Sequence, residues 1–142
     1  MEQEKSMADY FTAMQDTPPN LPVQRKKILA VDDVSIFLKN LTMQLKDYPY
    51  DLMCISSGKF ALRYIQANTP DLFILDIEMP DMNGYELAEK IRALGHTAPI
   101  IFLTGASQKD NIVKALQIGA ADYILKPFNK AQLLEKIEKH IK

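Results

Sequence analysis

The chain has 142 residues, 47% of them apolar and 25% charged, and a net charge of −1. That profile suits one domain with a core of its own, needing neither disulfides nor a structural metal to fold. It argues against a chain that wraps nucleic acid, which needs a clustered excess of Lys and Arg. It also argues against a membrane span, since no apolar run approaches roughly eighteen residues.

In chain order, Met1 to Glu4 lacks the basic and apolar regions of a secretory signal, and a cytoplasmic location is expected. Residues 1–25 read as a leader or linker: Thr17-Pro18-Pro19-Asn20-Leu21-Pro22 breaks helix and favours extended chain. Upstream, Met7, Tyr10, Phe11 and Met14 fall at helical spacing. They predict a short amphipathic helix, either within a partly ordered leader or as a docking element for a partner or second copy. The folded domain is expected over residues 26–142. From Lys27 onward short apolar runs alternate with helical patterns five times, which predicts an α/β fold, a five-stranded parallel sheet doubly wound by (βα)5 units.

Strands are expected at Lys27 to Val31, Asp51 to Ser56, Leu72 to Leu75, Pro99 to Leu103 and Asp122 to Leu125, each apolar enough for burial on both faces. The single cysteine, Cys54, falls in the second and reads as buried and unreactive. Three helices show core stripes: Val34, Leu38, Leu41 and Leu45; Leu87, Ala88, Ile91 and Leu94; Leu133, Leu134, Ile137 and Ile141. Asn68-Thr69-Pro70 and Gly95 end helices, and Gly119 follows the fourth as a left-handed cap. Arg25 to Lys27, and Lys136, Lys139 and Lys142, read as solvated surface.

Ligands of an open parallel sheet bind outside the carboxyl ends of its strands. Those ends carry Asp32-Asp33, Asp76, Thr104 and Lys126-Pro127. Singly, each has a plain structural reading: Asp33 as a helix cap, Asp76 as a turn residue before Pro80, Thr104 as a strand end, Lys126 as a solvated side chain. Together, three carboxylates on one edge repel one another unless positive charge sits among them. A lysine and a divalent metal would supply it. Magnesium takes octahedral oxygen ligands and is usually held by one or two carboxylates plus a phosphate oxygen. Asp33 and Asp76 would be its ligands, with Asp32 acting directly or through water. A carboxylate can attack phosphorus to give an aspartyl phosphate, with Lys126 and Thr104 serving the phosphoryl oxygens.

Four motifs follow predicted strands in order: Ile28-Leu29-Ala30-Val31-Asp32-Asp33; Leu75-Asp76-Ile77-Glu78-Met79-Pro80-Asp81-Met82-Asn83-Gly84; Leu103-Thr104-Gly105-Ala106; and Gly119-Ala120-Ala121-Asp122-Tyr123-Ile124-Leu125-Lys126-Pro127-Phe128. Across residues 27–141 they resemble the receiver domain of bacterial two-component response regulators, the fold of the stand-alone chemotaxis regulator. The resemblance implies the flavodoxin-like strand order 2-1-3-4-5. It implies Asp76 as phosphoacceptor (4-aspartylphosphate), Asp32 and Asp33 as the metal-binding pair, and a metal contact from the Glu78 backbone carbonyl. It also implies Mg2+ as cofactor with Mn2+ substituting, Thr104 as switch hydroxyl and Lys126 as the phosphate-facing lysine. The Lys126-Pro127 bond is expected to be cis. Tyr123 stands at the switch aromatic's position and equally reads as a half-buried edge residue.

Glu78 and Ala106 occupy positions that tune phosphoryl lifetime in the family. Met82 is expected to pack over the site, Asn83 to start the third helix, and Gly84 to allow a close backbone approach. Implied partners are a histidine kinase or histidine phosphotransfer protein, or a small phosphodonor. Downstream, a protein target or second copy would dock on the fourth helix, fifth strand and fifth helix. Such a domain assists its own phosphorylation and dephosphorylation without being an enzyme in the ordinary sense. One alternative is a pseudo-receiver, a binding module that never takes phosphate. Another is a haloacid dehalogenase-type phosphatase, against which the spacing of Asp32-Asp33-Val34 counts, since DxD is absent. No GxGxxG or P-loop follows any strand, and His96 and His140 lack ligand-like spacing.

Overall fold

A computed structural model describes residues 25–105 and 109–142. The helical pattern of residues 7–14, the Pro-rich segment and Ala106 lie outside them. The described chain alternates β1 (Lys26–Val31), α1 (Ser35–Leu45), β2 (Tyr50–Ile55), α2 (Gly58–Tyr64), β3 (Leu72–Asp76), α3 (Gly84–Ala93), β4 (Ile100–Gly105), α4 (Lys109–Ile118), β5 (Asp122–Lys126) and α5 (Lys130–His140). All five strands are parallel, in the order β2-β1-β3-β4-β5.

The three inner strands explain the apolar runs. β3 is buried along its whole length and β4 at all but its last residue, because helices cover both faces. Ile28, Ala30, Ile74, Ile101 and Leu103 pack with Leu41 and Leu45 of α1 and Leu133 and Ile137 of α5. Leu29, Val31, Phe73, Leu75 and Phe102 face the other way, onto Ala61 of α2, Leu87, Ala88 and Ile91 of α3, and Ala115 of α4. Each Val, Leu, Ile or Phe among them taken from water contributes about 1.5–3 kcal/mol, enough in sum to carry a polar edge at the top of the sheet.

Two details differ from the sequence reading. The two edge strands are not buried on both faces: β2 alternates between half-buried and exposed, with Met53 exposed and Cys54 half-buried, and β5 is buried only at Ile124, because each lacks a partner on its outer side. Val34 and Leu94 are exposed too. Both sit at helix ends, Val34 as the N-cap of α1 and Leu94 as the C-cap of α3, where the stripe has already turned from the sheet. Helix starts are well fastened elsewhere. Asn83 and Glu86 exchange side-chain-to-backbone bonds at α3, as Asn129 and Gln132 do at α5. Gly119 takes a φ of +95° after α4, and Gly95 one of +93° after α3. Among the described residues no helix is long and apolar enough to cross a membrane.

Candidate functional site

Parallel register brings the chemistry together. Val31 pairs with Leu75, so Asp32 and Asp76 emerge side by side one residue later. Asp76 is level with Leu103, Thr104 with Leu125, and Gly105 with Lys126, which sets the ends of β4 and β5 along the same edge. Gly84 lets α3 start against this edge. Its N–H donates to the Ile77 carbonyl at 2.8 Å, and a Cβ there would run into the Asp76 carbonyl oxygen and lie 2.9 Å from Ile77 Cα.

The edge holds charge that is almost dry. Asp32 is fully buried and Asp76 is 4% exposed, an uncommon state for carboxylates. Lys126 Nζ lies 2.8 Å from Asp32 Oδ2 and 3.1 Å from Asp76 Oδ1. The contact to Asp76 is an aligned hydrogen bond. The contact to Asp32 is an ion pair without that alignment, so Oδ2 accepts no hydrogen bond although it is buried. Asp32 Oδ1 accepts the Val34 N–H at 3.0 Å, at the start of α1. Burial pushes the Asp76 carboxyl up, and the Asp32 charge adds to this; Lys126 and the Glu78 N–H pull it back, leaving it at about 6. The site therefore keeps a carboxyl short of positive charge and of donors.

Oxygens of Asp32, Asp33 and Asp76 lie within 4.8 Å of one another, with Asp33 exposed at the mouth. An all-oxygen set with one buried oxygen lacking a donor fits a hard divalent cation. Asp33 does not cap α1, since Val34 is the N-cap and no side chain caps it. Thr104 is buried at the end of β4, and its hydroxyl donates to the Gly105 carbonyl at 3.4 Å, not to Asp76. The Lys126-Pro127 bond is cis. Glu78 is exposed, with its N–H on the Asp76 carboxylate. Tyr123 lies in half-buried β5, packs at the margin of the α2–α4 side of the core, and has Lys136 Nζ 5.7 Å from its ring centroid.

The profile of the response regulator receiver domain family matches residues 28–138. The chain belongs to that family. This receiver is 36% identical over 111 residues to protein RcaC of Microchaete diplosiphon, covering 78% of this chain and 17% of that one. It is 33% identical over 122 residues to the DNA-binding response regulator MtrA of Mycobacterium tuberculosis, covering 86% of this chain and 53% of MtrA. The receiver thus spans about half the length of the curated relatives it matches, or less. Among solved structures it is similar to the chemotaxis protein CheY4 of Vibrio cholerae, with 28% identity and a TM-score of 0.78, covering 83% of this chain and 100% of that one.

Two features of the receiver escaped the sequence reading. Phe37 lies beside Lys126, with Nζ 4.1 Å from the ring centroid. Asp81 accepts the Lys59 N–H at 3.1 Å, tying the β3–α3 loop to the start of α2. Met82, expected over the site, packs on Gly58 of that same helix, where a Cβ would lie 2.5 Å from its Cγ. The spacing of Phe37, four residues after Asp33 and on the first turn of α1, was the one available signal.

Proposed function

We propose that this receiver is a phosphorylation-activated switch of a two-component system or phosphorelay, taking a phosphoryl group on Asp76 from a histidine kinase or histidine phosphotransfer protein. The observation that carries this reading is the buried Asp76 carboxylate at the strand edge, with oxygens of Asp32 and Asp33 within 4.8 Å and the Lys126 ammonium at 3.1 Å. An Asp76 oxygen attacks phosphorus as the donor's bond to phosphorus breaks, and the leaving group departs on the opposite side. Lys126, already 3.1 Å from Asp76, moves its hydrogen bond to a phosphoryl oxygen. Asp32, Asp33, Asp76 and the Glu78 carbonyl would hold Mg2+, with Mn2+ as a substitute, and the cation would supply charge neutralisation for the incoming phosphoryl group.

The Thr104 hydroxyl, whose bond to the Gly105 carbonyl is long at 3.4 Å, turns to a phosphoryl oxygen. That differential bond shifts the population between two arrangements, and Tyr123 follows. The output surface is α4-β5-α5, where Val113, Leu116 and Leu125 are exposed for a protein target or second copy. As a phosphoacceptor the domain assists its own phosphorylation and dephosphorylation.

The test is intact-mass measurement after incubation with acetyl phosphate and Mg2+, beside Asp76→Asn and a chelator control. One added phosphoryl group that requires both Asp76 and the metal is expected. No label from several donors on a folded chain would point instead to a binding module that never takes phosphate.

A further inference from the structure

Lys126 has a third neighbour besides its two carboxylates. Its ammonium lies 4.1 Å from the centroid of the Phe37 ring, the shortest cation–ring contact among the described residues; the others run from 4.9 to 5.8 Å. The Lys126 side chain is 14% exposed, which places this contact at the desolvated end of the cation–π range. Phe37 is fixed in the first turn of α1, where its N–H donates to the Val34 carbonyl at 3.1 Å. Val34 in turn donates its N–H to the Asp32 carboxylate, so ring and carboxylate are set by one short stretch of chain.

We infer that Phe37 is a positioning residue for phosphoryl transfer, its ring face holding the Lys126 ammonium over the acceptor. This rests on the reading of Asp76 as phosphoacceptor. The carboxylates alone hold Lys126 less firmly once their charge is shared with a cation. The ring carries no formal charge and keeps its attraction for the ammonium under that condition. A lysine kept in place costs no reordering when the phosphoryl group arrives.

The experiment uses the full chain and compares wild type with Phe37→Leu, which removes the π face at similar volume, and Phe37→Tyr, which keeps it. Initial labelling rates are measured against acetyl phosphate concentration in Mg2+, with melting curves to establish folding. The saturating rate of Phe37→Leu is expected to fall about three- to tenfold, with half-saturation unchanged and Phe37→Tyr within about twofold of wild type. Equal rates for Phe37→Leu and wild type, or equal losses in Leu and Tyr, would overturn the role of Phe37 while leaving Asp76 as acceptor. An unlabelled wild type would overturn the functional reading itself. The contact is then read separately, without metal or donor. Lys126 ε-methylene protons should be shifted upfield by the ring in wild type and Phe37→Tyr, and not in Phe37→Leu. Absence of that shift from wild type would overturn the contact.

Discussion

The two ends of this sheet treat the same side chain in opposite ways. At the N-terminal end of β5, Asp122 receives Lys136 Nζ on one oxygen and His140 Nε2 on the other, each at 2.8 Å, and the Tyr123 N–H at 2.9 Å. Burial pushes its carboxyl up, but the bonds from Lys136, His140 and Tyr123 and the Lys136 charge outweigh burial, and it settles below the usual carboxylate range. At the C-terminal end, Asp76 is more deeply buried, faces another carboxylate, and shares one lysine with it, so it ends at about 6. A carboxylate that is fully partnered holds structure together. One left short of partners is ready to accept a cation or a covalent group, and the fold bears the cost.

The comparison can be broken in several places. The largest effect is expected from Gly84→Ala, because the new Cβ meets the backbone of the acceptor strand and not a yielding side chain. It should cost about 3 kcal/mol in urea unfolding. Gly119→Ala, whose Cβ meets open space, should cost only the positive-φ penalty of about 1–2 kcal/mol.

Asp76→Asn comes next and has the opposite sign. An acid whose carboxyl is raised on folding favours the folded state in acid and loses that contribution as pH rises through about 6. The variant should therefore be more stable than wild type at pH 7.5 without metal, by on the order of 2 kcal/mol. The gap should close below pH of about 4, where the carboxyl is protonated in both states.

Asp122→Asn should instead destabilise by about 1–2 kcal/mol near neutral pH. Because this carboxyl is lowered on folding, its contribution is full above the ordinary carboxylate value and is lost as pH falls through the lowered one. Paired melting scans from pH 7.5 to pH 3 would read both pH dependences. The smallest effect belongs to the exposed pair of Arg25 with Asp51 at 2.8 Å. Arg25→Ala should cost less than about 1 kcal/mol, falling further in high salt.

Much of this architecture was legible in the residues. The inner runs at Ile28, Leu72 and Ile100 announced buried parallel strands, and the polar residues closing them marked the edge where Asp32, Asp76, Thr104 and Lys126 meet. Pattern alone could not tell the sheet's two outer strands, β2 and β5, from the inner ones. The segment from Tyr50 to Ile55 is as apolar as its neighbours, and its half exposure follows from strand order. Nor could it find the Asp122 cluster. Lys136 and His140 are one helical turn apart on α5, and nothing local shows that β5 begins with its carboxylate against that turn. His140 has no metal-ligand spacing, and its partner is a carboxylate eighteen residues away. Phe37 escaped for the same reason, since its contact to Lys126 joins the first helix to the last strand.

The most direct test of the contrast between the two ends is a carbon-detected NMR titration of both carboxyls in one metal-free sample. The account predicts that Asp76 titrates near 6 and Asp122 below the ordinary carboxylate range, and that adding Mg2+ lowers Asp76 and leaves Asp122 in place. Two carboxyls titrating together in the ordinary range, or a Mg2+ response at Asp122 and none at Asp76, would contradict it.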